Sequence, residues 1–124
     1  MSLTEEQFRR HVRQLAAARG WTLAYHTHNS RRSDAGWPDE VYGHSQTKRT
    51  LFAELKTDTG RIRPAQREWL THLAACGFET ALWRPRDLSL IVATLAPDGP
   101  RAQLPEPWTR NFPIVLSSRS RDGR

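Results

Sequence analysis

The run Arg49–Lys56 (RTLFAELK) constrains the fold more than any other stretch of this chain. In an extended chain side chains alternate between faces, so Leu51, Ala53 and Leu55 share one face and Phe52, Glu54 and Lys56 the other. A face that carries a phenyl ring, a carboxylate and an ammonium is neither plain core nor plain surface. A second strand-like run, Glu40–His44 (EVYGH), precedes it across Ser45–Lys48, close enough for an antiparallel hairpin. A hairpin returns the end of its second strand to the start of its first. Asp39, separated from Glu54 by fourteen residues, is therefore expected beside Glu54 and Lys56. Pro38 is tolerated there because it precedes the strand.

Helical spacing flanks the hairpin. Thr4 is a candidate N-cap with Gln7 as its capping-box partner and Leu3 and Phe8 at the staple positions. Phe8, Val12, Leu15 and Ala16 follow at helical intervals, and Gly20 ends the helix. Glu5 lies on the apolar side of this helix, whereas Glu6 shares a face with Arg9, Arg10 and Arg13. Trp21–His26 (WTLAYH) reads as a first strand and Asn29–Trp37 as a loop. After the polar loop Thr57–Arg63, Pro64 suits the first turn of a second helix. Gln66, Trp69, Leu70 and Leu73 line one side of it, and Gly77 stops it. Phe78–Trp83 (FETALW) is a fourth strand. Asp87 is a candidate cap for a last helix carrying Leu88, Ile91, Val92 and Leu95. The result is an α/β order, αβββαβα.

The 124 residues suffice for one compact domain, placed at residues 1–96. Five of the eight prolines lie beyond it, in a basic arm over residues 97–124. That composition suits a partly disordered tail or a segment that docks, through Asn111–Leu116, on the domain or on a second subunit. Cys76 is the lone cysteine, which excludes an internal disulfide and a Cys-rich zinc site. A lone Cys at the end of an apolar helical pattern is expected to be buried. No apolar run approaches the length of a membrane span, and no signal-peptide core follows Met1. A soluble, cytoplasmic protein without membrane contact is the expectation. The net charge of +6 favours a polyanionic partner such as DNA. Seventeen of the nineteen basic residues are Arg, so Lys48 and Lys56 stand out.

Two carboxylates and an ammonium are the minimum set for metal-assisted phosphodiester hydrolysis. Carboxylates hold a divalent ion that keeps several waters, and a nearby Lys orients or deprotonates the attacking water. Glu54 and Lys56 lie on one strand face, roughly 7 Å apart along it. Gln66 sits on the apolar side of its helix, where a polar group needs a partner. An acidic cluster supplies one; the other reading is an exposed helix start.

The order Glu5, GWPD (Gly36–Asp39), FAELK (Phe52–Lys56), GRIRPAQREWL (Gly60–Leu70) and WRPRDL (Trp83–Leu88) resembles the VRR-NUC domain. This is the virus-type replication-repair nuclease branch of the PD-(D/E)xK superfamily. The resemblance covers about residues 4–96. It implies a restriction-endonuclease-like core, a mixed β-sheet flanked by helices, in a Mg²⁺- or Mn²⁺-dependent DNA endonuclease. It implies metal binding by Asp39, Glu54 and the Leu55 carbonyl, and handling of the attacking water by Lys56. Gln66 would support the site or contact DNA, and Glu5 would complete the acidic shell. Small domains of this kind are associated with phage and bacterial genomes, with cleavage of branched, junction or flap DNA, and often with homodimers. No nucleotide cofactor is implied. Glu40 departs from the family pattern, so either its strand is exposed or Glu40 adds charge to the site. Arg63 also departs, because Ser would cap the second helix better.

Arg31, Arg32 and Ser33 precede the acidic cluster, and Arg61, Arg63 and Arg67 surround the start of the second helix. Both groups suit phosphate contact, the second with help from the helix N-terminus, and both also suit plain solvated surface. His26 and His28 share a strand face, but a zinc site there would have to recruit Asp34 or Asp39. They otherwise line the DNA side or the surface. A DNA-binding module that keeps the fold without cleavage is the competing function.

Overall fold

In a computed structural model, which describes residues 2–27 and 34–109, the chain forms a four-stranded mixed sheet with helices on both faces. Helix α1 spans Glu5–Ala18, followed by β1 (Leu23–His26), β2 (Glu40–His44) and β3 (Arg49–Leu55). Helix α2 (Pro64–Ala75), β4 (Glu79–Trp83), a 3₁₀ turn at Pro85–Asp87, α3 (Leu88–Leu95) and a short α4 (Glu106–Thr109) complete it. The strands lie in chain order, β1–β2–β3 antiparallel and β3–β4 parallel. Among the described residues no helix is long and apolar enough to cross a membrane.

Strand alternation builds two unlike faces. Tyr42, Leu51, Ala53, Leu55, Ala81 and Trp83 meet α1 and α3 through Phe8, Val12, Ala16, Ile91 and Leu95 in the main core. The other face, under α2, is an aromatic cluster in which Trp37 stands edge-on to Phe52 and Trp69 and Phe52 to Phe78. Burying each large side chain contributes about 1.5–3 kcal/mol, so the first face holds most of the stability.

The α1 capping box forms as its sequence specifies, with reciprocal bonds between Thr4 and Gln7. Gly20 ends α1 at φ +96°, with the His44 imidazole 2.6 Å from where a Cβ would sit. Trp21 is not a strand residue. It is buried, and its indole N–H donates to the Leu95 carbonyl at 2.7 Å, which ties the end of α1 to the end of α3. Asp87 does not cap α3, because its carboxylate accepts the Arg84 N–H and closes the 3₁₀ turn instead. Cys76 is exposed, not buried. It lies six residues beyond the buried Leu70, about 120° away around the helix axis.

Past α3 the chain docks on the core, with Ala102 and Leu104 buried. Arg49 and Glu79 hold this segment. The guanidinium donates to both Glu79 oxygens, at 2.9 and 2.7 Å, and to the carbonyls of Ala96, Pro97 and Pro100. Glu79 also accepts the Ala102 N–H. Burial pushes the Glu79 carboxyl up, but the Arg49 and Ala102 hydrogen bonds and the charges of Arg49 and Arg101 outweigh it and leave it below the usual range. Asn111–Leu116 lies outside the described residues.

Candidate active site

The hairpin register pairs Glu40 with Ala53, so Asp39 lands opposite Glu54 one step further along. Asp39 N–H donates to Glu54 Oε1 at 3.3 Å, and Asp39 Oδ2 accepts the Leu55 N–H at 3.4 Å. Glu54 is 1% exposed, and its Oε2 lies 3.8 Å from Lys56 Nζ. Burial, then the charge of Asp39 and a hydrogen bond with it, push the Glu54 carboxyl up to about 9 against the pull of Lys56. A carboxyl in that state takes up either a proton or a cation.

Helix α2 contributes the fourth group. Gln66 Nε2 donates to Glu54 Oε2 at 2.8 Å, and Gln66 Oε1 accepts the Arg63 N–H at 2.9 Å. One amide thus caps the helix and orients the acid. Arg63 has no acceptor of its own to offer a helix N-terminus, and Gln66 takes over that task. Gly36 lets the helix come this close. At φ +89° it faces the first turn of α2, and a Cβ there would sit 2.3 Å from the Ala65 carbonyl oxygen. Trp37 then packs between Phe52 and Trp69, and the buried Pro38 leads into Asp39. Each residue of GWPD therefore has a separate physical role.

The WRPRDL segment holds the loop after Lys56. Arg84 Nη1 donates to the carbonyls of Thr57 and Gly60 at 2.7 and 2.6 Å. Arg86 binds Asp58 through its backbone N–H and its guanidinium, and Lys56 N–H donates to the Trp83 carbonyl. A sequence model of the VRR-NUC domain matches residues 2–87, which include all of these groups.

The chain belongs to the VRR-NUC family.

A solved structure described as a VRR_NUC domain protein is similar, with a TM-score of 0.53 at 20% identity over 80% of this chain and 93% of its own. That likeness speaks for the restriction-endonuclease-like fold. No curated protein matches the chain significantly.

The other expected positions divide. Asp39, Glu54, Lys56 and Gln66 come together in this VRR-NUC domain, and Leu55 joins them through its N–H, which donates to Asp39 Oδ2. Glu5 does not. Its carboxylate lies 3.6 Å from Arg9, and among the described residues no three His, Cys, Asp or Glu side chains form a metal-holding group. Arg61, Arg63 and Arg67 are exposed, but the Arg67 guanidinium lies 4.6 Å over the Trp108 ring, in the docked C-terminal segment. His28, Arg31, Arg32 and Ser33 lie outside the described residues.

Glu40 is neither on an exposed strand nor part of the Asp39–Glu54 pair. Strand alternation turns it to the α1 face, where it is 0% exposed. There it accepts the Tyr42 hydroxyl at 2.7 Å and lies 2.7 Å from His26 Nδ1, with Arg9 and Arg13 at 3.7 and 3.8 Å. Burial raises its carboxyl above the usual range despite Tyr42, Arg13 and His26. His26 Nδ1 is also 3.2 Å from the Asp39 carbonyl, so this network fixes the backbone that presents Asp39. Sequence reasoning missed Thr27 and weighed Asp34 only for a zinc site; both line a cleft of about 210 Å³ with Asp39, Arg63 and Gln66. Their positions depend on how Gly36 and its described neighbours pack against α2, which no local pattern encodes.

Proposed function

We propose that this VRR-NUC protein is a DNA endonuclease that hydrolyses phosphodiester bonds with Mg²⁺ or Mn²⁺ held by Asp39 and Glu54. One observation carries the reading. The buried Glu54 carboxylate of β3 accepts the Asp39 N–H from just before β2 and the Gln66 side-chain amide from α2, and Lys56 Nζ lies 3.8 Å from it just past the end of β3. The other two buried glutamates each face two arginines, Glu79 facing Arg49 and Arg101 and Glu40 facing Arg9 and Arg13. Glu54 has instead a second acid against it and a raised pKa, which is the donor set a hard divalent cation takes, with waters filling its other positions. When bound, the ion supplies charge neutralisation at the phosphate and a more acidic water. The backbone carbonyl of Leu55 would be the third protein oxygen.

The remaining work falls to the chain. Water forms one P–O bond as one ester P–O bond breaks, the water gives up a proton to solvent and the leaving oxygen takes one up, and Lys56 Nζ would donate to that water or to a phosphoryl oxygen. Gln66 holds Glu54 in orientation. Arg63, which lines the cleft, and the exposed Arg61 two residues before it would meet flanking phosphates. The family resemblance supports branched, junction or flap DNA as substrate and a homodimer as the working form.

The test is cleavage of branched, flapped and linear DNA with Mg²⁺ or Mn²⁺. Activity lost with EDTA and with Lys56→Ala, at unchanged fold, supports the reading. Tight binding without cleavage of any substrate would replace it by a non-catalytic DNA-binding module.

A further inference from the structure

An apolar shelf adjoins the Asp39–Glu54 site on the same sheet face. Directly opposed residues of antiparallel strands share a face, and so do residues two apart in one strand. Tyr25, Val41 and Phe52 form one row across β1, β2 and β3, and Leu23, Gly43 and Thr50 the row behind it. The row in front holds Thr27, Asp39 and Glu54, with Thr27 N–H donating to the Asp39 carbonyl at 3.0 Å. Tyr25 therefore stands one strand repeat, roughly 7 Å, from the row of the two acids.

Helix α2 covers only part of this face. It packs over Phe52 through Trp37 and Trp69 and reaches Glu54 through Gln66. Among the described residues no element packs over β1 on this face, and Tyr25 is 58% and Leu23 65% exposed. Gly43 leaves room for Leu23 to lie across the sheet, since a Cβ there would come within 3.3 Å of Leu23 Cβ.

The position of the shelf and the charge of the chain indicate its occupant. The protein carries a net charge of +6, and the shelf is continuous with a site read as one for a phosphodiester. A nucleobase has an apolar π-face and is covalently attached to such a phosphate. Within a duplex that face is stacked away, so only an unpaired base can lie on the shelf. We propose that Tyr25 and Leu23 form a stacking platform for an unpaired base flanking the phosphodiester addressed by Asp39, Glu54 and Lys56. The platform makes the protein select DNA with unpaired nucleotides beside the cut. This rests on the reading of that site as a DNA site.

The test is equilibrium binding of the full-length protein in EDTA to three probes of common sequence: a single strand, a flapped duplex and a blunt duplex. The unpaired segments carry 2-aminopurine. Tyr25→Ala is expected to weaken binding to the single strand and the flap by about tenfold and to abolish the 2-aminopurine quench. Blunt-duplex affinity is expected to stay within about twofold, and Tyr25→Phe to behave as wild type. Leu23→Asp gives the same selective loss through a second position. Equal weakening on the blunt duplex, a Tyr25→Phe variant as weak as Tyr25→Ala, or a Tyr25→Ala molar mass that falls to half overturns the proposal. The last result would mark the shelf as a subunit contact. Because binding is read without metal, a Tyr25-dependent preference without any cleavage removes the nuclease reading and keeps the platform. Cleavage with an unaltered branched-DNA preference in Tyr25→Ala does the reverse.

Discussion

Glu54→Gln is expected to abolish cleavage and yet make the metal-free protein more stable near neutral pH. The buried Glu54 carboxyl has its pKa pushed from 4.5 to about 9 by burial and by Asp39. A group with a raised folded-state pKa gives stability that is fully present below its unfolded value and lost as pH rises through its folded value. The window therefore runs from pH 4.5 to about 9. By pH 7 about 2.5 units of it have been crossed, at about 1.4 kcal/mol each, so wild type has lost about 3 kcal/mol. Glutamine has the same shape and does not titrate. It keeps one of the two hydrogen bonds from Asp39 N–H and Gln66 Nε2 and sets an N–H₂ against the other donor, at a cost of about 1 kcal/mol. The net gain at pH 7 is about 2 kcal/mol, or an increase of roughly 1–2 M in the urea midpoint. Urea denaturation in EDTA from about pH 5 to about pH 8 measures it. The gain is expected to vanish at the acid end and to grow steadily towards the alkaline end. A midpoint difference that does not change with pH, or a flat wild-type profile, refutes the reasoning. Mg²⁺ added near neutral pH is expected to raise the wild-type midpoint with proton release and to leave Glu54→Gln unmoved.

Three further outcomes follow from other contacts. Gly36→Ala puts a Cβ against the Ala65 carbonyl at a positive φ, so a loss of roughly 2–4 kcal/mol in urea unfolding is expected, with reduced cleavage because Gln66 shifts. Arg49→Met strands the buried Glu79 carboxylate and is expected to cost about 3–5 kcal/mol, largely recovered by Arg49→Met with Glu79→Leu. Because Glu79 has a lowered pKa, its contribution is present above the unfolded value and lost as pH falls, and the double variant is expected to lack that acid-side loss. Trp108→Ala frees the Arg67 guanidinium and is expected to tighten DNA binding at low salt and to steepen the salt dependence by about one phosphate contact. A filter-binding series in salt reads that slope.

Periodicity was enough to place most elements, because a strand face or helix stripe is written in consecutive residues. The hairpin Glu40–Leu55 shows this best: alternation and loop length together bring Asp39 to Glu54 before any tertiary contact is considered. Gln66 was legible for a related reason, since a polar residue on an apolar stripe signals a buried partner. Trp21 was misread because β-propensity describes the backbone and says nothing about an indole that finds a carbonyl at the far end of α3. Asp87 was misread because Arg84 N–H competed for the same carboxylate.

Glu40 marks the limit most clearly. Its neighbour Asp39 faces α2, and one residue later the chain turns Glu40 into the opposite core, among Tyr42, His26, Arg9 and Arg13. Those partners come from three separate elements, and only packing decides that they meet. The same holds for Glu5, which the sequence placed on the right side of α1 and which the structure sets against Arg9. The sequence by itself determined the element order, the hairpin and the identity of the acid–acid–lysine–glutamine set, because those depend on spacing along one chain. Only the tertiary structure decided that Glu5 and Glu40 stand apart from that set, how Gly36 lets α2 reach it and which stretch of sheet the described residues leave exposed beside it. Those depend on distances between segments that the chain itself leaves far apart.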